Sequence, residues 1–131
     1  MVATLEELYA GRGRRPGPGA TPAEMAPPVG VFLVGYDDER PVACGGVRRL
    51  EPGVAEIKRM YVVPDARGRG IARALLTALE EAARELGYER VRLDTGPRQP
   101  HARALYESVG YTEVPDYNAN PYAAFWGGKA L

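Results

Sequence analysis

Cysteine and histidine are almost absent from this sequence: its 131 residues include one of each, Cys44 and His101. A single cysteine cannot close a disulfide within the chain, and this pair cannot provide the clustered ligands of a typical metal site. We therefore predict no disulfide framework and no bound metal. Cys44 is expected to be a small buried residue rather than a nucleophile, because its sequence neighbours include no base that would activate the thiol.

An excess of charge and a long apolar run are also missing. Lysine plus arginine and aspartate plus glutamate number 17 each, so the formal net charge is zero. This balance argues against a general binder of nucleic acid or of membrane surfaces. No apolar stretch approaches the ~20 residues of a transmembrane helix, and the first residues lack the apolar core of a signal peptide. We therefore expect a cytoplasmic protein, with neither nucleic acid nor membrane as a partner.

Glycine, proline and arginine are concentrated in residues 1–28, which we interpret as a partly irregular N-terminal arm. Residues 29–131 have the patterns of one folded domain. They predict strands at 29–36, 41–50 and 54–63, a helix at 70–86, a strand at 90–95, a helix at 100–109, and strands at 111–114 and 124–130. Gly45 and Gly46 indicate a bulge, and Gly87 is a natural residue to end the first helix.

The order of these elements predicts the fold class. An antiparallel meander that continues into a β-α-β-α-β unit forms an α/β sandwich, in which helices flank a mixed sheet. The first helix is expected to pack on the sheet through one apolar stripe. The predicted stripe contains Ile71, Ala74, Leu75, Ala78, Leu79, Ala82 and Leu86.

The loop before the first predicted helix has the composition of an anion-binding site. Residues 67–70, Arg-Gly-Arg-Gly, join a strand to the helix start. A helix start presents unpaired backbone N–H groups and partial positive charge, glycine lets an anion approach the main chain, and arginine adds charge-assisted hydrogen bonds. A polar turn with solvated arginines would have the same composition. The loop is not a P-loop, because Ile71 and Ala72 stand where that motif needs lysine and a hydroxyl residue.

Two segments together resemble one family. The spacing Arg-x-x-Gly-x-Ala from Arg67 to Ala72 resembles the acyl-CoA signature of the GNAT superfamily of N-acetyltransferases. The segment from Ala102 to Tyr111 is similar to the family's Ala-x-x-Leu-Tyr-x-x-x-Gly-Phe/Tyr motif. The resemblance covers residues 29–131. It implies a mostly antiparallel mixed sheet flanked by helices, acetyl-CoA as the co-substrate, and an N-terminal region shorter than the family's usual strand and two helices.

The same resemblance implies which residues hold acetyl-CoA. Backbone groups of the third strand would run along the pantetheine arm, and one amide would polarise the thioester. These residues are Met60, Tyr61, Val62 and Val63, whose side chains can then belong to the core. The pyrophosphate would be held by Arg67, Gly68, Arg69, Gly70, Ile71, Ala72 and Arg73. Gln99 stands where many members have an asparagine that hydrogen-bonds CoA.

The general base that the resemblance implies is Glu56, on the third strand. Acetyl transfer needs a neutral amine, since an ammonium has no lone pair with which to attack. Glu56 could instead form an ordinary ion pair with Lys58 or Arg59. Asp94 and Glu113 are carboxylates that could replace it as the base.

The general acid that the resemblance implies is Tyr106, whose hydroxyl would lie near the CoA sulfur and protonate the departing thiolate. A core tyrosine with a satisfied hydroxyl is the alternative. The acceptor is predicted to contact the polar, aromatic loop before the last strand, through Tyr117, Asn118, Asn120, Tyr122 and Trp126. Turn chemistry explains part of this loop, and Trp126 could equally be core.

The favoured function is transfer of the acetyl group of acetyl-CoA to a primary amine of a small molecule, by direct attack in a ternary complex. A regulatory acyl-CoA-binding domain without turnover is one alternative. A protein acetyltransferase that acts on lysine or on an N-terminus is another. A sheet edge left by the shortened N-terminal region would invite pairing between copies, so we also expect a homodimer.

Overall fold

The structure is a computed structural model that describes residues 22–96 and 100–131. In these residues the elements are β1 (Val31–Asp37), β2 (Arg40–Glu51), β3 (Val54–Val62), a 3-10 turn (Pro64–Ala66), α1 (Ile71–Glu85), β4 (Arg90–Thr95), α2 (Pro100–Ser108), β5 (Thr112–Glu113) and β6 (Phe125–Ala130). The strands form one sheet in the order β1-β2-β3-β4-β6-β5. Every predicted strand and helix is present, so the mixed, mostly antiparallel sheet with flanking helices is confirmed.

The part of the N-terminal arm that the structure describes, residues 22–28, forms turns that lie against the sheet. Met25 is 4% exposed, and a Cβ added to Gly46 would collide with its sulfur. Residues 1–21 lie outside the described residues. Neither α1 nor α2, the helices of the described ranges, is long and apolar enough to cross a membrane.

The first three strands form the predicted antiparallel meander, and β2 has its bulge at the predicted glycine pair. The register between β2 and β3 shifts between Cys44 and Gly46. Arg59, on the opposite strand, has a positive φ of 58°. A Cβ added to Gly45 would lie 2.8 Å from Leu79 Cδ1 of α1. A side chain at position 45 would therefore displace Leu79 where α1 crosses β2 closely.

β3 and β4 are parallel neighbours that separate part of the way along their length. Residues 54–56 of β3 pair with residues 90–92 of β4. Beyond this point β3 continues alongside β2, whereas β4 continues alongside β6. The separation opens towards the loop that precedes α1. We call it the strand gap.

The two faces of the sheet have different characters. Successive strand residues point to opposite faces, and directly paired residues share a face. One face, which we call the helix face, packs against α1 and α2 through Ala55, Ile57, Val91, Leu93 and Phe125. The other, which we call the polar face, carries Arg48, Glu56, Lys58, Asp94 and Trp126. The strand gap therefore has an apolar side and a charged side.

The buried side of α1 differs from the predicted stripe. The helix buries Leu75, Leu76, Leu79 and Ala83 with Glu80. The prediction was wrong to include Ala74, which is exposed, and to omit Leu76 and Ala83. Alanines flank the stripe on both sides, so spacing alone did not fix the rotation of the helix about its axis. The helix end was predicted correctly: Gly87 has a φ of 95° and its N–H donates to the Arg84 carbonyl at 2.9 Å.

Candidate functional site

The loop between β3 and α1 ends at a helix start without a side-chain cap. Gly68 and Gly70 both have a φ of 79°, which glycine adopts without strain. Gly70 is the N-cap, its position provides no side-chain hydrogen bond, and the first turn of α1 contains no acidic residue. The first N–H groups of α1 and the positive end of its dipole can therefore meet an anion. A Cβ at either glycine would meet nothing within 4 Å, so the protein itself needs these glycines for the backbone angle.

Two exposed arginines flank this helix start and are oriented by weak contacts. Arg67 Nε donates to the Val62 carbonyl at 3.0 Å. Arg69 Nη1 lies 3.1 Å from Asp37 Oδ2, and both side chains of this pair are about half exposed, at 54% and 46%. Exposed ion pairs contribute little to stability. Both arginines can therefore exchange these partners for a phosphate, which forms stronger charge-assisted hydrogen bonds.

Three further residues that the sequence suggested as pyrophosphate ligands lie at the start of α1. Ile71 packs against the main core, and Ala72 is half-buried behind it in the first turn. Arg73 Nη2 donates to Ser108 Oγ at 3.1 Å, which links α1 to the end of α2. The sequence suggested pyrophosphate contacts for all three residues. Ile71 and Arg73 help to hold the helix in place. Ile71 and Ala72 have apolar side chains, so any phosphate contact of these two residues would be through the backbone.

Residues 60–63 form one border of the strand gap. β2 holds this segment through the pairing of Val62 with Ala43. Its other edge faces the gap, because β4 has already turned towards β6. The side chains serve the core as expected: Met60, Val62 and Val63 pack against the main cluster, and Tyr61 packs against Cys44.

Tyr106 lies on the helix face, next to a residue that borders the strand gap. It is 6% exposed, and its hydroxyl is 3.8 Å from Met60 Sδ. Its ring centroid lies 5.7 Å from that of Tyr111. Tyr106 is therefore a core residue whose hydroxyl is directed towards Met60.

Glu56 lies on the polar face, where the strand gap begins, and is 0% exposed. Its Oε1 accepts a hydrogen bond from Arg48 Nε at 2.7 Å. Its Oε2 accepts one from the Tyr117 hydroxyl at 2.7 Å and lies 3.4 Å from Lys58 Nζ. The alternative in which Glu56 pairs with Lys58 is thus observed. A buried carboxylate requires such donors, because they offset its lost hydration.

The loop between β5 and β6 is fastened to the polar face by Asn118. Its Nδ2 lies 2.5 Å from Asp94 Oδ2 and 3.4 Å from Glu56 Oε2. Its Oδ1 accepts a hydrogen bond from Trp126 Nε1 at 3.0 Å. Asn120 Nδ2 also reaches Asp94 Oδ2, at 3.3 Å. Asn118 therefore bridges Glu56 and Asp94, and Asn120 adds a second contact to Asp94.

Tyr117 is an aromatic residue of this loop, and its hydroxyl reaches Glu56. It is half-buried, and the Arg92 guanidinium lies 5.8 Å from its ring centroid. Burial, and then the charge of Glu56, raise the pKa of Tyr117 above its ordinary value. The phenol is therefore protonated and donates to Glu56. Tyr122, in contrast, is 53% exposed.

The family model described as Acetyltransferase (GNAT) family matches residues 4–111. This chain belongs to the GNAT family. An IAA acetyltransferase from Azospirillum brasilense is 37% identical over 98 residues, which cover 72% of this chain and 64% of the relative. The uncharacterised N-acetyltransferase YjgM from Escherichia coli is 37% identical over 89 residues, which cover 66% of this chain and 52% of the relative. This GNAT chain therefore spans between about half and two-thirds of these curated relatives.

A solved structure has the same fold. It comes from Klebsiella pneumoniae subsp. pneumoniae MGH 78578 and is provisionally described as an acyl-CoA N-acyltransferase. It superimposes with a TM-score of 0.72 at 32% identity, and the match covers 84% of this chain and 78% of the other. The mixed, mostly antiparallel sheet with its helices is thus the GNAT fold.

Several other predicted residues of this GNAT chain have clear positions. Cys44 is buried as expected, with its sulfur 3.7 Å from the Arg59 carbonyl. Glu113 cannot replace Glu56 as the base: it pairs with Gly127 on the helix-face side and forms an exposed ion pair with Arg103 at 3.6 Å. Asp94, by contrast, lies beside Glu56. Gln99 lies outside the described residues.

Sequence reasoning missed two members of the site in this GNAT chain, Arg48 and Glu24. Arg48 Nη1 lies 2.6 Å from Glu24 Oε2, so a residue of the N-terminal arm contributes to the polar face. A signal for Arg48 was present, because it is directly opposite Glu56 in the hairpin that turns at residues 52–53, and opposite charges favour such pairs. In the parts of the chain that the structure describes, no group of three or more His, Cys, Asp or Glu side chains could hold a metal.

Proposed function

We propose that this chain transfers the acetyl group of acetyl-CoA to a primary amine of a small molecule, by direct attack in a ternary complex. The observation that supports this proposal is that two titratable side chains, Tyr106 and Glu56, lie on the two sides of the sheet beside the strand gap. Tyr106 lies on the helix face and Glu56 on the polar face. The family of the chain supports the acetyl donor, and its relatives named acetyltransferase support the reaction class.

The donor site has parts suited to a long, anionic thioester. Residues 60–63 present a strand edge to the gap, to which an amide-containing pantetheine arm could bind as a neighbouring strand would. The uncapped start of α1, with Arg67 and Arg69 beside it, suits a pyrophosphate. These two features are contiguous, because β3 leads into the loop that starts α1.

In this proposal, each face of the sheet provides one of the two residues that transfer protons during the reaction. The amine nitrogen attacks the thioester carbonyl carbon, the C–N bond forms, and the C–S bond breaks. Glu56 accepts the proton that the acceptor ammonium must lose before it can attack, and Tyr106 supplies the proton that the departing thiolate takes up. The second proton, which the nitrogen releases as the C–N bond forms, restores the Tyr106 phenol. Glu56 therefore acts at the nitrogen that forms the new bond, and Tyr106 acts at the sulfur that leaves.

A second candidate is an acyl-CoA-binding domain without turnover. It is favoured by one observation: Glu56 is fully buried, and both of its oxygens already accept hydrogen bonds. The two candidates share the donor site and differ in whether any amine is acetylated.

Binding of the donor is tested first, by calorimetric titration of acetyl-CoA into the full chain. An Arg67→Ala, Arg69→Ala double variant should bind about 10-fold more weakly, a loss of ~1.4 kcal/mol. Asp37→Asn is the matched control: it removes the partner of Arg69 but retains the arginine, so binding should be unchanged or tighter. No binding to the unaltered chain would overturn both candidates.

Turnover is tested next with a panel of small primary amines and detection of released CoA thiol. The unaltered chain should acetylate at least one amine, and Tyr106→Phe should reduce kcat by ~100-fold or more while the affinity for acetyl-CoA is retained. Acetyl-CoA binding without turnover on any amine would support the regulatory domain instead.

A further inference from the structure

Glu56 poses a chemical problem as a general base. A base must lie within hydrogen-bond reach of the proton that it removes, directly or through one intermediary. Glu56 is 0% exposed, and both of its carboxylate oxygens accept hydrogen bonds from protein donors. An incoming amine therefore cannot contact this carboxylate in the described arrangement. Some group must carry the proton to it.

Among the residues that the structure describes, four have side chains in contact with the Glu56 carboxylate, and one of the four can relay a proton. Arg48 and the Lys58 ammonium are cations with no lone pair to accept a proton, and the Asn118 Nδ2 is a donor only. Tyr117 is different, because a phenol oxygen can accept one proton while its own proton leaves. Its hydroxyl is 2.7 Å from Glu56 Oε2.

The surroundings of Tyr117 fit this role. The residue is half-buried, so part of its side chain extends from the enclosed carboxylate to the surface of the polar face. The Arg92 guanidinium lies over its ring at 5.8 Å from the centroid, and Asn118, the next residue, is fastened to Asp94 and Trp126. The ring is thus contacted by Arg92, its backbone is anchored through Asn118, and its hydroxyl is directed at Glu56.

We propose that Tyr117 is a catalytic residue that relays the proton of the acceptor ammonium to Glu56. An N–H bond of the ammonium breaks as the proton binds the Tyr117 oxygen. In the same step the Tyr117 O–H bond breaks and its proton binds Glu56 Oε2. The amine becomes neutral, Tyr117 ends as a phenol, and Glu56 ends protonated. After the products leave, the proton returns to water by the reverse path.

This inference rests on the proposed function, in which Glu56 is the base. The experiment compares kcat/KM as a function of pH for Tyr117→Phe, Glu56→Gln and the double variant, with an amine that the chain acetylates. Each single variant should lose about 100-fold near neutral pH. The double variant should lose no more than the worse single variant, because the two residues act in one path. The losses should shrink as the pH approaches the pKa of the amine, since the acceptor then arrives neutral.

Tyr88→Phe is the matched control, because it also removes one phenol hydroxyl. That hydroxyl donates to the Val29 carbonyl at 2.5 Å, away from the polar face. The Tyr88 variant should retain its kcat/KM within about twofold of the unaltered chain. All variants should bind acetyl-CoA equally, which separates a lost proton path from a damaged donor site.

A measurement on the unaltered chain makes the test independent of variant folding. In mixtures of light and heavy water, the single-turnover rate should depend on deuterium content along a curve, because two protons move in one step. A linear dependence would overturn the relay. Normal turnover in Tyr117→Phe together with loss of activity in Glu56→Gln would also overturn the relay. That result would leave Glu56 as the base. An active Glu56→Gln would instead overturn that part of the proposed function.

Discussion

Glu80 shows, at the scale of single residues, how this chain stabilises a buried charge. The carboxylate is 6% exposed, its Oε2 accepts a hydrogen bond from the Tyr111 hydroxyl at 2.8 Å, and its Oε1 accepts one from Lys129 Nζ at 2.9 Å. The lysine also lies 5.6 Å from the Tyr111 ring centroid. Burial, and then the Glu80 charge, raise the pKa of Tyr111 far above its ordinary value. The folded state therefore requires this phenol to be protonated.

The folded chain should therefore lose stability as the pH becomes alkaline. The pKa of an unfolded tyrosine is ~10, and the pKa of Tyr111 is raised on folding, so its stabilisation is complete below that pH and is lost as the pH rises above it. The free energy of unfolding should fall by up to ~1.4 kcal/mol per pH unit for this residue. In the Tyr111→Phe variant, the free energy of unfolding from urea titrations should fall less steeply with pH, by that amount, between about pH 9 and 11.

Tyr117, whose pKa is also raised, provides the internal comparison. Tyr117→Phe should likewise reduce the fall of the free energy of unfolding with rising pH. The Tyr111→Phe, Tyr117→Phe double variant should show both reductions. A Tyr111→Phe chain as steeply destabilised by alkali as the unaltered one would contradict this account.

The contact between α1 and β2 leaves little room for a side chain at Gly45. A Cβ at Gly45 would lie 2.8 Å from Leu79 Cδ1 and 3.3 Å from Met60 Cγ. Gly45→Ala should therefore displace α1 or its leucine and destabilise the chain by ~1–3 kcal/mol, as overpacking of a core does. Chemical denaturation measures this change.

Gly35→Ala is the control within the same hairpin. A Cβ at Gly35 would meet the Ala43 Cβ at 3.5 Å, which is an ordinary contact, so its cost should be well below that of Gly45→Ala. Equal losses for the two variants would mean that the glycines matter for the strands and not for α1.

The elements were predictable because their signals are local. Alternation, helical spacing and the glycines at 45, 46 and 87 placed the strands, helices, bulge and helix end within two residues of their positions. The partners of Glu56 were not predictable in this way, since Tyr117 follows it by 61 residues. The sequence indicated that Tyr117 and Glu56 were both important, but their hydrogen bond depends on how the β5–β6 loop folds over the sheet.

At the scale of the whole molecule, β1 is a terminal strand of the sheet in the described residues. An uncovered strand edge can pair with the same edge of another copy about a twofold axis. Tyr36 on this strand is 42% exposed, and Val29 just before it is 38% exposed. We therefore propose that the chain forms a homodimer through β1.

Light scattering coupled to size exclusion tests this dimer. The expected mass is twice the chain mass of 14.2 kDa. Tyr36→Lys should shift the mass towards the monomer, because a charged residue on an edge strand disfavours pairing. A monomer mass for the unaltered chain at every concentration would refute the proposal.

The two faces of the sheet also affect how substrates enter the site and how products leave it. Glu56 and Tyr106 lie on opposite sides of the strand gap, so an acceptor that meets the polar face and a donor threaded through the gap would not share an entrance. The acetylated product and free CoA could then depart through separate exits. Neither product would have to wait for the other, and the order of release would be set by their affinities alone.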